Sequence, residues 1–282
     1  MGSILTYNGK ILTSGAKRVY QPTNYNPLGL PPYTIRVQFN RYATMPPHNY
    51  GQGTLIEVDA DHKIWDITTV GNADPGDWHD LVYFFEDVTA VLGANSTGVT
   101  DMSGLFRYAP NITSLPLFDT SSVTKMNGML MNSSIRELPE FDTSSVTDMT
   151  LFCWYASRLV RVPNLNLSRV TRMGGAFSHC DWLQELPKFD TSSVVEMGNV
   201  CEGEAYLKKV PAWPTESVTD ISNAFTNCYR VESGALDFYN KISSQAVPPS
   251  KYKYAFANCG RDTVTVAQEL AQIPASWGGT GA

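Results

Sequence analysis

Residues 170–194 read VTRMGGAFSHCDWLQELPKFDTSSV, a segment in which Met173 and Phe177 follow Val170 by three and seven residues. A Val with Met or Ile three residues later recurs at spacings of 24, 23, 24, 24 and 24 residues, at Val99, Val123, Val146, Val170, Val194 and Val218. We number each repeat from this Val, so that Met173 is at +3 and Phe177 at +7. A unit of this size is too small to bury its own apolar side, so neighbouring units must stack into one continuous core.

The apolar residues of the repeat that begins at Val170 fall at +3, +7, +10, +13 and +16. Steps of three and four residues favour a short helical turn, and the later apolar pair favours a short strand leading into a turn. The period also lies in the range of leucine-rich repeats. We therefore predict an α/β repeat fold, namely a leucine-rich-repeat-like solenoid of about seven to eight coils that is capped by a small N-terminal β region.

The repeat pattern divides the chain into three predicted regions: an N-terminal β attachment and cap region over 1–74, the solenoid over 75–260, and a C-terminal cap and tail over 261–282. One period before Val99, a degenerate first repeat is predicted with five inward residues, Trp78, Val82, Phe85, Val88 and Val91. At the other end, a last repeat fits only after an insertion of seven residues within 233–250.

Alternation of apolar and polar residues predicts the strands outside the repeats. In the N-terminal region these strands cover 33–39, 54–58 and 63–68, and a hairpin is predicted over residues 4–13. Residues 263–267 also alternate, which predicts a last edge strand.

The chain has 282 residues with 21 Lys and Arg against 27 Asp and Glu, a net charge of −6 that argues against a nucleic-acid partner. No window reaches the ~18 consecutive apolar residues of a membrane helix, and the N-terminus lacks the pattern of an export signal, so we expect no membrane partner.

Ser and Thr together number 48, as many as all charged residues. Stacked repeats explain this excess, because hydroxyls form ladders without like-charge repulsion.

One position in each repeat, +2, does carry charge, and its sign alternates through the first five of these residues: Asp101, Lys125, Asp148, Arg172, Glu196 and Asp220. Alternation of this kind favours repeats that stack in register.

The sequence predicts no catalytic residues, no metal site and no cofactor. The five Cys residues include no C-x-x-C pair, so buried reduced thiols are expected rather than disulfides or a zinc site. Glu204 departs from the small residues at +10, and Ala205 is expected to take its place in the core.

Asp119, Asp142 and Asp190 recur in Phe-Asp-Thr-Ser-Ser linkers, where turn capping is the favoured interpretation. Hydrolase and nucleotide-binding motifs are missing from the sequence, and we predict that the protein is not an enzyme.

Aromatic and basic residues that differ from repeat to repeat follow the +7 position: Trp154, Tyr155, Arg158, His179, Trp182, Tyr206, Lys208, Tyr229 and Arg230. Such side chains are common anchors of interfaces and of sugar-stacking sites. One hypothesis is a ligand-facing stripe across four repeats. The alternative is that several of these side chains cover the ends of the core or contact a second copy of the chain.

Residues 99–106, 176–194 and 224–228 resemble the BspA-like leucine-rich-repeat family of bacterial surface proteins. This resemblance implies adhesion or recognition through the repeat surface, without enzymatic activity. The N-terminal segments 5–12 and 31–37 are similar to the starts of tail-associated proteins of phages that infect gut bacteria.

The two resemblances together imply a phage tail-associated receptor-binding or tail-fibre-type protein in the virion. Its expected partners are a glycan or protein receptor on a bacterial cell, and other tail or surface proteins that bind residues 1–74. A homo-oligomer is also possible on these grounds. The alternatives are a structural virion subunit that packs against its neighbours and a bacterial adhesin at the cell surface.

Overall fold

The computed structural model describes most of the chain, namely residues 5–7, 10–12, 26–40, 42, 51–58, 61–69, 74, 76–81 and 87–281. The predicted inward residues Val82 and Phe85 lie outside the described residues.

The chain up to Asn95 contains a hairpin and a four-stranded antiparallel sheet, whose last strand lies beyond the predicted N-terminal region. The hairpin pairs β1 (Leu5–Tyr7) with β2 (Lys10–Leu12). The sheet has the order β4-β5-β3-β6 and consists of β3 (Thr34–Asn40), β4 (Gly51–Val58), β5 (His62–Thr69) and β6 (Val88–Asn95). The strands predicted over 33–39, 54–58 and 63–68 and the hairpin are therefore confirmed.

Strand β3 forms because its apolar and polar residues alternate. Ile35, Val37 and Phe39 are buried in the core. On the other face, the Arg36 guanidinium binds both carboxylate oxygens of Asp66 on β5, at 2.6 and 2.7 Å. This paired charge fixes the register of the two central strands.

The repeats lie side by side and are joined through their backbones. In the repeat at Val170, the N–H groups of Met173, Gly175, Phe177 and His179 donate to carbonyl groups of the next repeat at 2.8–3.0 Å. The same pattern links the other repeats, and single parallel bridges join the +2 residues from Asp77 to Lys251. The in-register stacking that the charge pattern favoured is therefore confirmed.

Two residues of each repeat, at +5 and +9, adopt a left-handed backbone conformation. At +5 these residues are Gly104, Gly128, Leu151, Gly175, Asn199, Asn223 and Tyr254, with φ between 56° and 64°. At +9 they are Tyr108, Asn132, Tyr155, His179, Gly203, Asn227 and Asn258, with φ between 56° and 74°. A left-handed residue every four or so positions interrupts a right-handed helix, so the segment forms a row of turns instead.

The prediction of an α/β leucine-rich-repeat-like solenoid is therefore wrong. The main regular element is the four-stranded antiparallel sheet, and between residues 99 and 231 the chain forms turns and isolated single-residue bridges. The described residues contain only two short α-helices, α1 (Ala235–Ser243) and α2 (Ala267–Leu270), besides one 3-10 turn at Ala275–Trp277. The left-handed residues are the physical reason, because they exclude the helical turns that apolar spacing alone indicated.

The C-terminal end also differs in part from expectation. Helix α1 lies within the predicted insertion at 233–250, and its buried side includes Phe238 and Ile242. The predicted edge strand over 263–267 is wrong, because the chain turns there and α2 begins at Ala267.

The apolar positions of the repeats form the core. Residues at 0, +3, +7 and +13 are buried throughout the repeats at Val146, Val170 and Val194. Trp78, Val88 and Val91 are buried as predicted, although the two valines belong to strand β6. All five Cys residues are free and buried, which confirms the expectation of reduced thiols.

Hydroxyl groups at +1 form the predicted ladder, although they bond to the backbone rather than to one another. The Thr124, Thr147 and Thr171 hydroxyls each donate to the carbonyl group of the +1 residue in the preceding repeat, at 3.1–3.2 Å. The hydroxyl excess therefore contributes directly to the bonding between repeats.

Candidate functional site

The predicted stripe separates into two groups of side chains. The first group surrounds the left-handed +9 position: the Tyr155 ring stacks on the His179 ring with centroids 4.2 Å apart, and Trp154 meets Tyr155 edge-on at 4.3 Å. Trp154 lines a cleft of about 470 Å³ on this side of the molecule, together with Leu151 and Asn199.

The second group is a row at +12, one side chain from each of four consecutive repeats. We call Arg158, Trp182, Tyr206 and Arg230 the +12 row; all four are exposed. Trp182 is 63% exposed, and the Trp182 and Tyr206 rings lie 6.4 Å apart. The Arg230 guanidinium covers the Tyr206 ring at 4.3 Å.

The remaining two predicted residues lie beside this row. Lys208 is exposed at +14, and its backbone N–H donates to the Gln184 carbonyl. Tyr229 is half-buried, and the Arg261 guanidinium covers its ring at 4.2 Å. Arg261 was not among the predicted residues, because it follows the insertion that interrupts the 24-residue period.

A shallow cleft lies at the start of the +12 row. We call it the Trp182 cleft; it has a volume of about 410 Å³ and is lined by Arg136, Arg158, Val160 and Trp182. The exposed face of Trp182 and the side chain of Val160 supply apolar surface, and the two guanidinium groups supply positive charge.

Sequence reasoning missed Arg136 for an identifiable reason. The repeat at Val123 is one residue short, so a count of +13 falls on Arg136 at a position that is buried in other repeats. Ile135 is the buried residue instead, and the Arg136 carbonyl accepts the Val160 N–H at 2.8 Å. The 23-residue spacing indicates that Arg136 is exposed, because each residue after the deletion is shifted by one position.

The charges around Trp182 are distributed unevenly. Among the described residues, neither Arg136 nor Arg158 forms an ion pair. A second cleft of about 530 Å³, which shares Val160 and Trp182 with the first, includes Glu137 and Arg161, which pair at 2.6 Å. Net positive charge is therefore concentrated in the Trp182 cleft.

Reactive groups in the core are held in unreactive states. Burial raises the pKa of every Cys thiol, and that of Cys259 to about 12. The Cys180 Sγ donates to the Cys153 carbonyl at 3.2 Å, whereas the neighbouring His179 packs on Tyr155.

Glu204, and not Ala205, occupies the buried +10 position, so the expectation for Ala205 is wrong. Its Oε1 accepts the Cys180 N–H at 2.7 Å, and its Oε2 has no hydrogen-bond partner in the described structure. Burial raises the pKa of Glu204 well above its usual range.

The linker Asp residues cap turns, as predicted. Asp119, Asp142 and Asp190 each accept the backbone N–H and the hydroxyl of the Ser two residues later, at 2.6–3.1 Å. No group of three or more His, Cys, Asp or Glu side chains in the described part of the chain is arranged to hold a metal ion.

A second exposed surface lies on edge strand β4. Leu55, Ile56 and Val58 are 45%, 45% and 56% exposed there. Edge strands with exposed apolar side chains are prone to pair with other chains. No helix in the described residues has the length and apolar character needed to cross a membrane.

Comparison with known proteins places the repeats in a family. No curated protein and no solved structure matches the chain. The family described as "Mycoplasma protein of unknown function, DUF285" matches residues 80–181 and 156–259. Together these matches span more than half of the sequence, and the chain therefore belongs to this family, which is related to the BspA-like surface repeat proteins.

Proposed function

We propose that this is a non-enzymatic recognition protein that binds a receptor on a bacterial cell surface through the +12 row and the Trp182 cleft. The supporting observation is the row itself, in which consecutive repeats present Arg, Trp, Tyr and Arg side chains to solvent. Trp182 is 63% exposed and lies in a cleft beside Arg158, and Trp and Arg side chains are the residues most enriched among interface anchors.

The backbone bonds between repeats support this proposal in a second way. They hold the Cα atoms of the +12 row at fixed distances from one another. Ligand binding therefore costs little conformational entropy in the protein. Trp and Tyr rings add contact area at a low cost in conformational entropy.

For its location we propose the phage virion, with the tail as the favoured site, because segments 5–12 and 31–37 resemble phage tail-associated proteins. A bacterial cell surface is the alternative, which the relation of the family to surface repeat proteins supports. In either setting, residues 1–74 would attach the protein to other tail or surface proteins.

One observation favours a second candidate, a structural subunit that packs against neighbours or copies of itself. Strand β4 leaves Leu55, Ile56 and Val58 exposed at the edge of the sheet. A strand added there by another chain would bury these side chains and pair the free backbone groups.

Binding of labelled protein to whole bacterial cells tests the proposal against this alternative. We expect Trp182→Ala combined with Tyr206→Ala to lower cell binding by about 30-fold or more, the loss typical of an interface anchor. Val247→Ala combined with Val264→Ala is the matched control, because these side chains are 80% and 88% exposed and lie outside the cleft.

Circular dichroism and thermal unfolding establish that both double variants are folded. Unchanged cell binding by the Trp182 and Tyr206 variant would exclude this surface as the receptor site. Assembly with tail or surface proteins, without any cell binding by the wild type, would favour the structural subunit.

A further inference from the structure

On the basis of the recognition function above, we propose that the Trp182 cleft binds a carboxylate-bearing sugar residue of an acidic glycan. A uronic acid is the simplest such sugar. It presents one flat apolar ring face and one negative charge, and the cleft presents one aromatic face and two guanidinium groups.

The charge of the cleft selects an anion. Arg136 and Arg158 both line it, and neither has an ion-pair partner among the described residues. The chain as a whole has a net charge of −6, whereas the charged residues that line this cleft are both positive. Guanidinium groups bind carboxylates through two parallel hydrogen bonds, which gives both affinity and orientation.

The apolar part of the cleft selects a ring. Trp182 is 63% exposed, and Val160, 43% exposed, lies in the same cleft. An indole face of this kind is suited to the C–H face of a pyranose, which covers it without needing a deep pocket. The volume of about 410 Å³ is at the lower end of the range for small-ligand sites.

The backbone at Val160 disfavours one way of binding an acidic peptide. Some extended peptides bind by adding a strand to an open sheet edge. Here the Val160 N–H already donates to the Arg136 carbonyl, at 2.8 Å, so this group is not available to an added strand. The second cleft, which adjoins the first at Trp182, includes Glu137 and Glu185, whose charge disfavours an anion there.

Isothermal titration calorimetry with a trimer of galacturonic acid tests the proposal, and the neutral galactose trimer serves as the matched ligand. We expect the acidic trimer to bind about tenfold more tightly or better. Arg136→Gln and Arg158→Gln should each weaken binding of the acidic trimer about tenfold, and Trp182→Ala should weaken both trimers. Arg169→Gln should have no effect, because Arg169 is exposed but does not line the cleft.

Equal affinity for the two trimers, or Arg variants that bind like the wild type, would overturn the assignment of an acidic sugar. Tighter binding of hexaglutamate than of the acidic trimer would overturn it in favour of a peptide.

The two proposals fail in different ways. Loss of cell binding in the Trp182 and Tyr206 variant, without any binding of the acidic trimer, would overturn the sugar assignment and leave the recognition function intact. Binding of the acidic trimer by a protein that labels no cells would support the sugar site and contradict the bacterial receptor.

Discussion

The imidazole ring of His179 lies over Gly203, the residue at the same position in the next repeat. A Cβ on Gly203 would come within 2.4 Å of Nδ1 of His179, and the φ of Gly203 is +74°. Tyr155, at the same position in the preceding repeat, stacks on the other side of this imidazole. The side chain at +9 therefore contacts the +9 residue of the next repeat, either by stacking, as Tyr155 does on His179, or by covering a Gly, as His179 does at Gly203.

Gly203→Ala should lower the free energy of unfolding by more than the roughly 1–2 kcal/mol that a left-handed Ala costs by itself, because His179 must also move. Gly128→Ala is the matched control, since Gly128 has a φ of +61° but its Cβ would meet only a side-chain atom at 4.0 Å. Urea unfolding measures both. Equal losses in the two variants would show that the imidazole imposes no restriction.

Glu204 should make the protein less stable as the pH rises. Burial raises the pKa of Glu204 in the folded state, so the folded chain retains a proton that the unfolded chain loses above about pH 4.3. Stability from this site is thus greatest below that pH and declines as the pH rises towards the folded-state pKa. Glu204→Gln should remove this decline, as measured by urea unfolding between about pH 5 and pH 8.

Glu202→Gln provides the control for this pH series, because Glu202 is a near neighbour that is only half-buried. A parallel decline in the wild type and in Glu204→Gln would mean that another group causes it.

The charged +2 positions should respond to a reversal of sign. The Arg172 side chain forms an ion pair with Asp148 at 2.7 Å. The Arg172 backbone forms a parallel β-bridge with Glu196 of the next repeat. Arg172→Glu would make four consecutive +2 positions acidic, from Asp148 to Asp220, and we expect a loss of about 1 kcal/mol in the free energy of unfolding. Arg172→Gln should cost less, and the difference should shrink at about 0.5 M salt because of screening. A salt-independent loss would point to packing instead.

The thiols should be inaccessible in the folded protein. All five are buried and their pKa values are raised, so the thiolate that reacts with Ellman's reagent is scarce. We expect no rapid reaction under native conditions and the release of five equivalents in urea. One thiol that reacts at once without denaturant would show that part of the Cys core is open.

The sequence predicts the repeats, their register and their buried positions, because the pattern of Val, Met and Phe reports burial directly. Backbone conformation at +5 and +9 is less readable. Gly104 and Asn223 are residue types that tolerate a left-handed conformation, but Leu151, Tyr155 and His179 occupy the same positions without that signal. Hydrogen bonds to the neighbouring repeats hold them there, and a single repeat does not reveal this constraint.

The candidate site likewise contains residues that the sequence predicts directly and one that it does not. Exposure of Trp182 and Arg158 follows from their position between buried residues, so both could be predicted. Arg136 could be placed only by allowing for the missing residue in its repeat, and the bond from the Val160 N–H to the Arg136 carbonyl confirms that alignment.

The backbone bonds between repeats and the bonds from Thr hydroxyls to the backbone involve no +12 side chain. Gain or loss of two adjacent repeats would keep these backbone bonds and the alternation of charge at +2, while it alters the number and identity of the exposed anchors. Recombination of paired repeats can therefore vary the ligand preference and the reach of this surface.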